Sequence, residues 1–336
     1  MIHWFVNTQT SGLDKVVIRP ATGGTAITVP LSSSDRQAGQ KLITGLQADQ
    51  NYNLQLFSAD KSKGIVNFKT SPEVSYTTSL SQGADLVAAL NAAADGDVIG
   101  LNPGTYSMTA LYNLMNKSVT IRSTSNNPDD TKIKIREFSL VGDGAWVSFV
   151  GLDIDGNYSG TSLGVQFLQL KGNATTSAAA ATFKNINLDN CNIHDYTRCL
   201  FLGNLATAVN DQKMGSFSIN NCRIYNIDKG NTGSYYTFSM EKLSFNLFSI
   251  RKSSLYAMGQ ALVNMSFSGL NTAITPVVNI DYCTINNIGG GSGKQLLLDA
   301  NANKVAFSFT NNIIANTPIS GTLAGSYRAS STALEM

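Results

Sequence analysis

Five stretches of the chain repeat one pattern, an apolar strand that ends in Asn, Ser or Cys and resumes with an aliphatic residue: NINLDNCNI, FSINNCRI, FSIRKSSL, VNIDYCTI and FSFTNNII. The residue marking the step is Cys191, Cys222, Ser253, Cys283 and Asn312, at intervals of 31, 31, 30 and 29 residues. A period of this length belongs to a unit that cannot bury its own apolar face and therefore stacks on copies of itself. Within each copy aliphatic and polar residues alternate, as at Ile186, Leu188, Cys191 and Ile193, so the unit is built of strands with one side facing inward. Asn190, Asn221 and Asn311 recur at the step, where a bend needs a residue that tolerates unusual backbone angles and bonds to its neighbours' main chain. A second apolar run follows: RCLFLG from Arg198, YYTFSM from Tyr235, ALVNMSF from Ala261 and QLLLDA from Gln295. Two or three short strands per turn predict a parallel β-helix. The helical-period runs that an α-solenoid requires are missing from residues 140 to 320.

The marked positions are equivalent, so Cys191, Cys222 and Cys283 are expected in an interior stack of small apolar side chains completed by Ser253 and Asn312. Neighbouring rungs lie about 4.8 Å apart, a spacing that suits reduced thiols, and Cys199 falls on the next strand.

The 336 residues are enough for two domains. A net charge of +2 without any run of Lys or Arg argues against a nucleic-acid partner. No stretch of 18 apolar residues predicts a membrane span, and no basic-then-apolar secretion segment opens the sequence. Oligomeric state is left open.

The first 70 residues differ from the rest. Strand-like runs at Trp4 to Val6, Val16 to Ile18, Ala26 to Val29, Tyr52 to Leu56 and Gly64 to Lys69 predict a small antiparallel sandwich over residues 1–72. The segment ITGLQADQNYNLQLFSADKSKGIVNFKTS resembles the C-terminal half of a fibronectin type III module through Leu46, Tyr52, Phe68 and Thr70. That resemblance implies a spacer whose core Trp is Trp4, with the module's first strand not included in this sequence.

Residues 73–336 form the second predicted domain. It opens with SLSQGADLVAALNAAADGDVIGLNPGTY, in which Ser81 is the expected N-cap, Ala84 to Ala93 the helix, and Leu86, Leu90 and Ala93 its apolar face. Such a helix covers the open edge of the first rung. Continued by SVTIRSTSNNPDDTKIKI and VSFVGLDIDG, the segment resembles the start of pectate-lyase-like and chondroitinase-B-like right-handed parallel β-helix proteins. The resemblance covers residues 79 to 157, and the period extends it to about 316. It implies an all-β, right-handed parallel β-helix and an exported, glycan-handling protein of the bacterial cell surface, periplasm or exterior. A polysaccharide lyase acting on a uronic-acid polymer is one reading, with Ca²⁺ as the cofactor that the family implies. The other is a non-catalytic carbohydrate-binding or surface protein on the same scaffold.

A lyase of that kind neutralises the substrate carboxylate and presents a base to the C5 proton. Aligning the rungs places Asp189, Asn220, Arg251, Asp281 and Thr310 in one outward column, with Lys252 beside Arg251 and Arg223 on the adjacent corner. Arg251 and Lys252 are therefore candidate catalytic residues, and Arg223, Asp189 and Asp281 candidate substrate contacts. A surface salt-bridge ladder accounts for the same column. The corner IHDYTRC offers His194 and Arg198 as further catalytic candidates and Tyr196 as a sugar contact, although a polar turn needs such residues in any case. Asp153 and Asp155 share one side of a strand, while Asp189, Asp281 and Glu241 stand as isolated acids.

Overall fold

The computed structural model describes residues 2–8, 10–228, 235–267, 269, 274–290, 293–301, 303–319 and 322–330. The chain divides into two units, Met1–Ser75 and Tyr76–Met336.

In the first unit Val16 and Ile18 on one strand and Tyr52 and Leu54 on the next are buried beside more exposed neighbours, the one-sided pattern that antiparallel sheets follow. The sheet runs in the order Ile27–Pro30, Lys15–Pro20, Asn51–Ser58, Lys61–Lys69, antiparallel throughout. The strand expected at Trp4 to Val6 is instead Ile2–His3, paired with Gln40–Lys41. Trp4 lies just past it, half-buried, with its backbone N–H donated to Gly39 O at 2.8 Å. Between them runs a short helix, Ser33–Ala38, that the strand pattern did not suggest. Ser32 and Asp35 form a reciprocal capping box at its start, and Gly39, at φ 66°, ends it.

The second unit is a right-handed parallel β-helix of about 7 turns. Nine strands, from Thr78–Leu80 to Ala306–Thr310, form one continuous sheet. A second sheet begins after a tight corner, and its strands also pair in parallel from rung to rung. The corner is occupied in successive rungs by Gly151, Asn190, Asn221, Lys252, Tyr282 and Asn311, with φ between 49° and 67°. Asn populates this left-handed region more easily than other non-glycine residues, which is why the step in the repeat reads Asn. A second left-handed column follows within the second sheet: Asp195, Asn226, Ala257, Asn287 and Asn316.

Inside, Cys191, Cys222, Ser253 and Cys283 are buried in one column, and all the cysteines are free thiols. The column is more polar than the sequence suggested. Cys191 N–H donates to Cys222 Sγ (3.4 Å), Cys222 N–H to Ser253 Oγ (3.0 Å) and Cys283 N–H to Asn312 Oδ1 (2.7 Å). These corner N–H groups have no strand partner, so the next rung's side chain supplies one. Asn312, half-buried, also returns its amide to Ile280 O at 2.8 Å. Elsewhere in the core aromatic rings meet edge-on or tilted, such as Phe217 with Phe248 (5.4 Å) and Phe238 with Phe248 (4.8 Å).

The end-covering helix is Leu86–Ala92, with Leu86 and Leu90 buried in the same core. Its N-cap is Asp85, not Ser81: Asp85 Oδ1 accepts Ala88 N–H at 3.0 Å. At the other end Lys117 Nζ donates to the carbonyls of Leu90 (2.8 Å) and Ala93 (2.6 Å). A cation there satisfies carbonyls that the helix leaves open.

Candidate functional site

Beyond the second left-handed column, the strands turn polar side chains outward yet keep them buried. Phe138 pairs with Leu168 and Leu140 with Leu170, all in the core, so Ser139 and Gln169, paired between them, face the other way. Glu137, Gln166, Gln169 and Ser139 on this strip are nonetheless buried. Buried polar groups are costly unless bonded, and these bond to one another. Gln166 and Gln169 both donate amides to Glu137, and Arg198 Nη2 donates to Gln166 Oε1. The Arg198 guanidinium also lies 4.4 Å over the Tyr235 ring. Burial raises the Glu137 carboxyl even though Lys171 Nζ sits 3.7 Å away.

The strip continues through Leu202, Ser239, Asn264, Asp299 and Arg328, which pair in register. Arg328 grips Asp299 through two parallel hydrogen bonds, 2.9 Å and 2.8 Å. Tyr236 donates its hydroxyl to Asp299 at 3.3 Å and accepts Gln295 N–H at 3.1 Å. The Lys294 ammonium lies 4.8 Å over the Tyr236 ring. Asn264 donates to Glu241 Oε1 at 3.0 Å, while the buried Glu241 Oε2 has no hydrogen-bond partner among the described residues. Burial pushes the Glu241 carboxyl up and the Lys294 ammonium down, although each feels the other's charge in the opposite sense. A carboxyl shifted upward and a lysine shifted downward thus line the same strip.

His194 lies outside the strip, before the second left-handed column. Nε2 is 2.9 Å from Asp153 Oδ1 and Nδ1 is 2.7 Å from Asp195 Oδ2. Lys132 Nζ bridges Asp153 (2.9 Å) and Asp155 (3.3 Å). Burial disfavours the imidazolium, but the bonds to Asp153 and Asp195 outweigh it and raise the His194 pKa. Both ring nitrogens are committed, so His194 holds an ion network together.

Asp155, His194 and Asp195 place ligand atoms within 4.8 Å of one another. They do not fit Ca²⁺, which takes roughly six to eight oxygen ligands. One donor here is a ring nitrogen, and Lys132 and His194 already neutralise the carboxylates.

The remaining sequence candidates are dispersed. Asp189, Asn220, Arg251, Asp281 and Thr310 do pair in one column, but on the first sheet. There Arg251 Nη2 meets Asp281 Oδ2 at 3.3 Å in the open, and Asp281 also accepts from Thr310 and Asn311. Asp189 accepts the Asn220 amide at 2.7 Å. Lys252 is on the corner and Arg223 beyond it, so the three cations do not converge as one cluster on the Arg251 face. Tyr196 is sealed in the core, its hydroxyl donated to Ile135 O at 3.0 Å, and offers no surface to a sugar. Arg198 alone lies on the buried strip. No motif or spacing in the sequence marks Lys294, Tyr236 or Glu137 themselves. One signal was present, since Ser239 and Asp299 interrupt the apolar runs YYTFSM and QLLLDA.

The family described as "Domain of unknown function (DUF4957)" matches residues 104–258. No curated protein sequence matches the chain. Among solved structures it is similar to the PL6 family alginate lyase AlyGC, at 13% identity and a TM-score of 0.50 over 78% of this chain and 41% of that one. A mutant of the same lyase matches at 12% identity and a TM-score of 0.43, with the same coverage. The chain thus spans about two fifths of the length of these relatives, and the likeness is one of fold.

Proposed function

We propose that the protein acts on an acidic polysaccharide, held along the buried polar strip and cleaved there by β-elimination. The observation that carries this reading is the placement on one strip of Lys294, 4.8 Å over the Tyr236 ring, and Glu241, bonded to Asn264; burial shifts the lysine down and the carboxyl up, both toward the neutral range in which acid–base work is done. Arg198, stacked on Tyr235, faces the uronate carboxylate and makes C5–H more acidic. Lys294 takes the C5 proton, the C4–O bond breaks as the C4–C5 double bond forms, and Glu241 returns a proton to the departing oxygen. The shared scaffold of a protein named as an alginate lyase, alginate being a polyuronate, supports this substrate class. In the same reading the N-terminal unit is a fibronectin type III-like spacer, supported by its antiparallel sheet. The protein works at the cell surface or outside the cell, where such polymers are met.

The test is the ultraviolet absorbance of the unsaturated product with alginate and with polygalacturonate. Growth that falls about 100- to 10,000-fold in Lys294→Ala, the usual span of general acid–base catalysis, supports elimination. Binding of either polymer without absorbance growth would make the protein a binding module on a lyase-like scaffold.

A further inference from the structure

We propose that the corner between the two sheets, on the rungs of Asn190, Asn221 and Lys252, is a separate binding groove for a carboxylate-bearing sugar chain. The groove encloses about 270 Å³ between Asn127, Asp129, Asn192, Arg223, Lys252 and the corner asparagines. Its wall is the loop 126–129, held down by the Asn190 amide, which donates to Asn126 O at 2.7 Å.

Two features mark it as more than a turn. Asn221 donates its amide to Asn190 Oδ1 at 2.9 Å, the start of a side-chain ladder up the corner. On the next rung the ladder stops, because Lys252 stands where Asn would continue it, in the left-handed conformation at φ 49°. A lysine there is strained relative to Asn or Gly, and Asn221 Oδ1 accepts no hydrogen bond among the described residues. The strained turn places Lys252 on the groove's lining beside Asn221. Arg223 supplies a second exposed cation, and neither has an ion-pair partner among the described residues, unlike Arg251 and Lys132.

Paired cations suit a carboxylate, and a free amide oxygen suits a sugar hydroxyl. Rungs repeat at about 4.8 Å, close to the length of a pyranose ring along an extended chain, so successive corners meet successive sugars. The groove takes the same ligand class as the polar strip but does not depend on the strip being catalytic.

Calorimetry with oligogalacturonate separates the two. Arg198→Ala removes binding at the strip and leaves the corner event intact. Arg223→Gln with Lys252→Asn reduces the corner event at least about tenfold. Because Asn restores the ladder and relieves the strained lysine, that variant melts no lower than the wild type. Carboxyl-reduced oligosaccharide loses the corner event. The proposal is overturned if no binding survives Arg198→Ala, if the double variant titrates like the wild type, or if the reduced oligosaccharide binds equally well.

Discussion

His194 stacks face to face on Tyr225, ring centroids 4.6 Å apart and planes 9° from parallel, one rung apart on the second sheet. Tyr225 stacks in turn on Tyr256 at 4.9 Å. A ladder of this kind covers the ring faces with one another and leaves hydroxyls and ring edges, not a flat platform, for the surroundings. It also holds the imidazole in place between Asp153 and Asp195.

His194 has a raised folded pKa, so its contribution to stability is complete below the unfolded value of about 6.5 and is lost as pH rises through the folded value. Asp153, lowered despite burial by its bonds to His194 and Lys132, contributes above its unfolded value and loses that contribution as pH falls through the folded one. Urea midpoints are therefore expected to decline on the alkaline side of about pH 6.5 in the wild type and to lose that decline in His194→Gln. An unchanged profile in the variant would remove His194 from this role.

Lys117→Met should lower stability by about 1–2 kcal/mol, since it withdraws a charged donor from the Leu90 and Ala93 carbonyls while keeping the apolar stem. Equilibrium urea unfolding of the wild type and variant measures it.

Ser253→Ala should cost about 1–3 kcal/mol, because the buried Cys222 N–H loses its acceptor. Ser253→Cys should be far milder, as Cys222 Sγ plays the same part for Cys191. Equal losses in the two variants would show that the hydroxyl itself, not an acceptor at that position, is required.

Arg251→Ala should change stability by no more than about 1 kcal/mol, the usual worth of an exposed ion pair. Asp281 keeps Thr310 and Asn311 as partners. Oligouronate affinity, measured by calorimetry, is expected to stay at the wild-type value.

The periodic parts of the molecule were legible because a rung repeats its constraints. The Cys191 column, the Asp189 to Thr310 register and the left-handed turns at Asn190, Asn221 and Asn311 all follow from spacing and residue type. Lys252 and Tyr282 adopt the same turn without the residue that advertises it. The polar strip was harder to read. Glu241 and Lys294 lie outside the strands, where no period constrains them, and their altered proton affinities come from burial by parts of the chain distant in sequence. Tyr196 misled for the complementary reason. In the string IHDYTRC its polar neighbours suggest a surface turn, while the pleat directs its own ring inward.

In the cysteine column each of these backbone N–H bonds points the same way, from the N–H of one rung to the side chain of the rung that comes after it in the chain. A ribosome delivers the sequence in that same order. Cys191 therefore emerges with its N–H unmet until Cys222 has been synthesised, and Cys222 waits likewise for Ser253. Each newly made turn completes the one before it, so a polypeptide halted part-way carries its incomplete rung at the growing end and leaves the earlier ones closed.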